Sequence, residues 1–261
     1  MVLGYDVIMQ SGVVEFVIGK TRRRFSIHAA LASVFPKGIF QPPINGQIDE
    51  VVFGRCCEFV YSGDYTVPLP TADPCEDDGN QTSDSQALSR GSARRWDPMN
   101  HRGNLFHPTT LPIICAFIKE KLDKAPFDED GEVPNKDPED NYADVFLSHA
   151  EVYHFAYTTD WESLCALSLY RLIRSLVSFT LFEDRTGDIV KLMKFVFEEN
   201  EGMHDVRDTL VHYAAWNVEI LMRDADFRQL LDRVPSLEKA IFRAMWAGDM
   251  TLYRFFFVPY G

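Results

Sequence analysis

Residues 66–141 are a stretch of 76 in which nine of the fourteen prolines and 15 acidic side chains collect, and this stretch divides the chain. Around Pro74-Cys75-Glu76-Asp77-Asp78-Gly79-Asn80, and through the Ser/Gln/Arg-rich run that follows, there is almost no large apolar side chain before Trp96. The far end, from Asp128-Glu129-Asp130-Gly131-Glu132 to Pro138-Glu139-Asp140, is equally poor in apolar groups. Ordering a backbone costs ~1–2 kcal/mol per residue, and neither part has the apolar surface to offset it. The stretch is therefore expected to be a mostly disordered acidic insertion. The exception is 111–122, where Ile114, Phe117, Ile118 and Leu122 recur at helical spacing and predict a short helix. That helix either docks back on the core or serves as a partner-binding motif.

The sequence ahead of the insertion reads as hairpin, helix, helix. Val13 to Ile18 is rich in β-branched residues, Gly19-Lys20-Thr21-Arg22 is turn-like, and alternation resumes at Arg24-Phe25-Ser26-Ile27. A short helix is predicted over 28–34, ended by Pro36. A second runs over 49–61 and stops at Ser62-Gly63-Asp64, a glycine C-terminal signal. The stretch 40–48 is compressed and rich in proline and glycine. Beyond the insertion the pattern is helical throughout: 145–157, 161–179, 188–198, 209–222 and a last helix from about Ser236.

Composition excludes several classes. A net charge of −13 would repel the phosphates of nucleic acid or of an anionic membrane surface, so neither is expected as a direct partner. The longest apolar run, Leu111 to Ile118, is far short of the ~20 residues of a membrane helix. Asp6 interrupts the first apolar stretch, so no signal peptide is read, and five irregularly spaced cysteines do not make a disulfide framework. The expectation is an intracellular protein, cytoplasmic or nuclear and not secreted.

Chemistry is hard to find. No CxxC occurs, His149 and His154 are five apart and so diverge on a helix, and adjacent Cys56 and Cys57 chelate poorly, so no metal is expected. The cysteines read as buried thiols and the histidines as solvated imidazoles. Cys165 with His149 would be a nucleophile and base, but that cysteine sits at an apolar helix position with nothing to lower its pKa. GxSxG, GxxxxGK[ST] and GxGxxG are absent, so no catalytic residue and no cofactor is predicted. Arg22-Arg23-Arg24 at the hairpin reads as a solvated strand edge that discourages aggregation, ahead of an anion site.

The motifs resemble a known family. The hairpin running into Phe25-Ser26-Ile27-His28-Ala29-Ala30-Leu31-Ala32-Ser33 resembles the BTB/POZ signature, in which a strand ends on a histidine and enters a helix. Phe59-Val60-Tyr61-Ser62-Gly63-Asp64-Tyr65 resembles its helix-ending Y-[TS]-G-x-Y motif. His149-Ala150-Glu151-Val152-Tyr153-His154-Phe155-Ala156 and 164–172 resemble its closing helix pair, and segments of 178–215 are similar to filamentous-fungal members. The resemblance implies an α+β fold: a BTB/POZ domain from 13–65 and 142–179, carrying an all-α extension over 180–261. It implies that His28, Leu31, Tyr61, Gly63, Tyr65, His149, Tyr153 and Ala156 are scaffold positions. It also implies a non-enzymatic role, through self-association or through docking on a cullin-type ubiquitin-ligase scaffold. The alternatives are an enzyme with an unrecognised site in the helical half, or a transcriptional regulator acting through a partner chain.

Neither segment alone has enough to bury, so one core is expected to join Phe25, Leu31, Phe53 and Val60 to Val152, Ala156, Leu164 and Leu172. Limited proteolysis of the full chain is expected to cut within 66–110 and 124–141 and leave the flanking fragments associated; protection of both stretches would contradict this reading.

Overall fold

The computed structural model describes residues 4–40, 48–72, 94–95, 135 and 138–256. The chain is mixed and mostly helical, with a small two-stranded sheet. It divides into two compact units, Met1–Pro68 with Ser148–Ser168, and Leu69–Leu147 with Leu169–Gly261.

In the first unit, α1 (Tyr5–Gln10) leads into β1 (Val13–Ile18) and β2 (Arg23–His28). The strands are antiparallel, in a register that sets Val13 opposite His28 and Phe16 opposite Phe25. Alternation turns Phe16 and Ile18 inward, with Ile27 buried on the partner strand. The helix after the hairpin, α2, is only Ala29–Ala32, shorter than the 28–34 predicted. It is held from outside: Ala29 N–H donates to Gly12 O, and Ala30 N–H to Ser11 Oγ, both at 3.0 Å. These contacts satisfy donors that a helix start leaves open.

The next helix, α3 (Glu50–Ser62), shows why the sequence delimits it so well. The Asp49 carboxylate accepts from Val51 N–H (2.8 Å) and Val52 N–H (3.1 Å), an N-cap. At the other end Gly63 takes φ +81° and donates its N–H to Phe59 O at 2.8 Å. Between these ends Val52, Phe53 and Cys56 are buried. Phe53 packs with ring centroids 5.6 Å from Phe16, 5.0 Å from Phe25 and 5.6 Å from Phe35, while Trp161 lies 5.0 Å from Phe35 and 5.6 Å from Phe59. Leu31, Val152, Ala156 and Leu164 are buried here as expected, but Phe25 and Val60 are half-buried. Phe25 lies edge-on to Phe53, and the Arg23 guanidinium covers its outer side at 5.2 Å.

Helices α4 (Ala143–Thr158) and α5 (Glu162–Ser178) each span the division between units. The second unit continues with α6 (Thr186–Lys194), α7 (His204–Trp216), α8 (Val218–Leu221), α9 (Ala225–Arg233) and α10 (Pro235–Phe256). Tyr142, Phe146 and Phe179 form its aromatic centre, with centroids 5.2–5.9 Å apart. Leu172 is buried in this unit. The helix predicted over 188–198 ends at Lys194 and continues as a π-helical turn through Phe195–Glu199. That predicted over 209–222 breaks at Asn217, whose carbonyl accepts from Ile220 and Leu221 N–H. Helix α9 was not anticipated; the Asp224 carboxylate caps it on Phe227 N–H and also accepts from Thr186 Oγ1.

Described parts of 66–141 are paired. Thr71–Ala72 pairs with Asp140–Asn141, and Arg94–Arg95 with Thr180–Leu181, while buried Asn135 exchanges two hydrogen bonds with Thr180. The disorder expected of the rest lies outside the described residues, as do the helix predicted over 111–122 and residues 41–47. Among the described residues, no helix is long and apolar enough to cross a membrane.

Gly63 has open space where a Cβ would go, so its requirement is purely conformational. Gly63→Val is expected to destabilise the protein by roughly 1–2 kcal/mol in denaturant titration, and Gly63→Asn by less; equal stability of all three would mean that the helix ends without a left-handed residue.

Candidate functional site

The sequence-nominated residues gather in the first unit, around the end of α3 and on α4. Tyr61 and Tyr65, four apart across the Gly63 turn, each engage a histidine. Half-exposed Tyr61 takes His28 N–H at 3.1 Å on its hydroxyl, which also lies 2.8 Å from His28 Nδ1. Tyr65 is buried, and its hydroxyl lies 2.8 Å from Nδ1 of His149, with the rings 5.7 Å apart. His149 is fully buried, which corrects the expectation of a solvated imidazole: the phenol supplies the polar contact that a buried ring needs. Leu31, Tyr153 and Ala156 are buried, and Tyr153 stacks on Tyr157 at 6.2 Å.

Arg55, which the sequence reading passed over, joins the same helices. It is buried, donates from Nη2 to Ser148 Oγ at 2.6 Å, and pairs through Nη1 with Glu151 at 3.4 Å. An arginine between Phe53 and Cys56 on an apolar stripe was the signal available. A buried cation needs polar partners, and only another part of the chain could supply them.

Two adjacent thiols on α3 are held in their protonated form. Burial, reinforced by Cys57 and opposed by Arg55, pushes the Cys56 thiol well above its ordinary pKa. Burial, with Glu58, pushes Cys57 up to about 12. Neither thiol carries appreciable thiolate at neutral pH. Burial lowers the pKa of half-buried His154, so the unfolded chain takes up that proton more readily and stability falls as the pH drops below about 6.5. Among the described residues no group of three or more His, Cys, Asp or Glu side chains could hold a metal ion.

The same unit exposes apolar side chains. No residue of α1 is buried; Tyr5 is 81% and Met9 61% exposed, and Val7 is exposed with them. Val13 and Val17 of β1 are exposed as well. The other nominated contact residues, Ile114, Phe117, Ile118 and Leu122, lie outside the described residues. Comparison with protein-family models, with curated proteins and with solved structures gives no match.

Tyr65→Phe would strip the buried His149 Nδ1 of its hydroxyl and is expected to cost about 1–3 kcal/mol in urea unfolding. Tyr61→Phe, at a half-exposed pair that water can replace, is expected to cost less than about 1 kcal/mol. The reverse order would show that the Tyr65 contact does not hold α4.

Proposed function

We propose that this protein is a non-enzymatic protein-interaction module of the BTB/POZ type. It works by self-association or by docking on a cullin-type ubiquitin-ligase scaffold. The motif order carries the family reading. The scaffold use of Tyr61, Tyr65, His28 and His149 supports it, because these groups pair with one another between segments distant in sequence.

The observation that carries the interaction reading is the exposed apolar row of α1 and β1. A six-residue helix is marginal in water on its own, and α1 buries none of its residues in its own unit. Covering Tyr5, Val7, Met9, Val13 and Val17 would both order the helix and remove apolar area from water, at about 25 cal/mol per Å². This favours a second copy over the cullin scaffold, since a second copy presents the same exposed apolar side chains and the two could cover each other.

Sedimentation equilibrium of the full chain is expected to give a dimer. Val7→Lys with Met9→Lys, both at exposed positions, should shift it to monomer and remove any dependence of the thermal melt on protein concentration. A monomeric wild type that binds a purified cullin N-terminal domain would transfer the reading to the adaptor role. A monomer that binds no cullin would overturn it.

A further inference from the structure

The hairpin turn at the far end of β1 from α1 carries a different signal. Lys20, Arg22, Arg23 and Arg24 place four cations in five residues, all exposed, on a chain of net charge −13. The sequence favours a strand edge that resists aggregation, but Lys20 and Arg22 lie in the turn, where no ladder groups need shielding.

The turn is also held in one shape. The Glu50 carboxylate, on the first turn of α3, accepts from Thr21 N–H at 3.0 Å and from Thr21 Oγ1 at 2.5 Å. Gly19, at φ +76°, makes room for it: a Cβ there would come within 2.3 Å of the Glu50 side chain. Arg22 N–H donates to Gly19 O at 3.2 Å, and Arg22 itself sits in the left-handed region at φ +57°, a conformation strained for a residue with a Cβ. The clamp on Thr21 fixes the backbone that carries its neighbours Lys20 and Arg22.

Among the described residues the cations are little neutralised. Glu50 is engaged by Thr21, and Arg24 reaches Glu15 only at 4.0 Å, with both side chains well exposed, a pairing of small worth. The Arg23 guanidinium rests 5.2 Å over the Phe25 ring, which steadies its planar fork. Guanidinium groups so presented match clustered anionic oxygens bidentately.

The geometry points to the 20–24 turn as a docking site for a short acidic peptide segment of a partner protein, its carboxylate or phosphate oxygens gripped by Lys20, Arg22 and Arg23. Screening sets the size of the partner. With a Debye length of about 8 Å, a short peptide at the turn meets mainly these cations, whereas an extended polyanion would also meet the acidic remainder of the chain.

The test uses the full chain and two fluorescent peptides of equal length, octaglutamate and an alternating serine–phosphoserine octamer, with fluorescence anisotropy at low salt. Binding to at least one is expected, weakening as salt rises, and the two peptides distinguish carboxylate from phosphate. Lys20→Gln with Arg22→Gln and Arg23→Gln should weaken it by about tenfold or more. A charge-matched control at exposed positions, Lys191→Gln with Lys239→Gln and Arg243→Gln, should leave it within about twofold. Equal loss in the two variants, no binding of either peptide, or tighter binding of a single-stranded oligothymidylate would overturn the proposal. The turn variant should retain the sedimentation behaviour of the wild type, so this site and the α1–β1 row fail independently.

Discussion

The hydrogen bond between the Tyr65 hydroxyl and His149 Nδ1 spans 84 positions of sequence and closes the first unit. The unit is discontinuous, so the end of α3 must be joined to α4 by contacts that local propensity cannot supply. Arg55 makes a second join, to Ser148 and Glu151. Both place a polar group in the interior, where it is costly unless paired, and so both specify which residues meet. Apolar packing around Phe53 supplies the bulk of the burial but tolerates small shifts; the buried polar pairs do not.

These constraints place several polar groups nominated from the sequence in structural contacts. A histidine held by a phenol and two thiols raised by burial are groups engaged in structure. Two of the surfaces that the first unit offers outward differ in kind. One is apolar and lies along α1 and β1; the other is cationic and lies in the turn beyond β1's other end. An apolar row gains by excluding water, a basic turn by pairing with oxygen anions, so the two surfaces differ in salt dependence and in the partner that fits them.

The second unit uses polar groups in the same way. Buried Asp188 accepts from Tyr142 N–H at 2.8 Å, and its charge, after burial itself, raises the Tyr213 hydroxyl. Arg207 donates to the carbonyls of Val196 and Asn200 and covers Phe197 at 5.2 Å, fixing the π-helical turn against α7. That arrangement accommodates Met203, a buried residue at φ +49°.

Where a signal is local, the sequence was sufficient. The hairpin follows from alternation around Gly19, and the limits of α3 follow from Asp49 and Gly63, because capping and left-handed backbone depend on a few adjacent residues. The apolar stripes of α6 and α7 were likewise legible. What tertiary structure decided was what distant partners set, the short α2 held by Ser11 and Gly12 and the burial of His149 and Arg55, whereas the break at Asn217 and the Asp224 cap of α9 are local features that periodicity alone does not show. A polar side chain read in sequence looks solvated until another segment brings the group that satisfies it. That pairing is a property of the folded chain, because in the unfolded chain water makes the same hydrogen bonds.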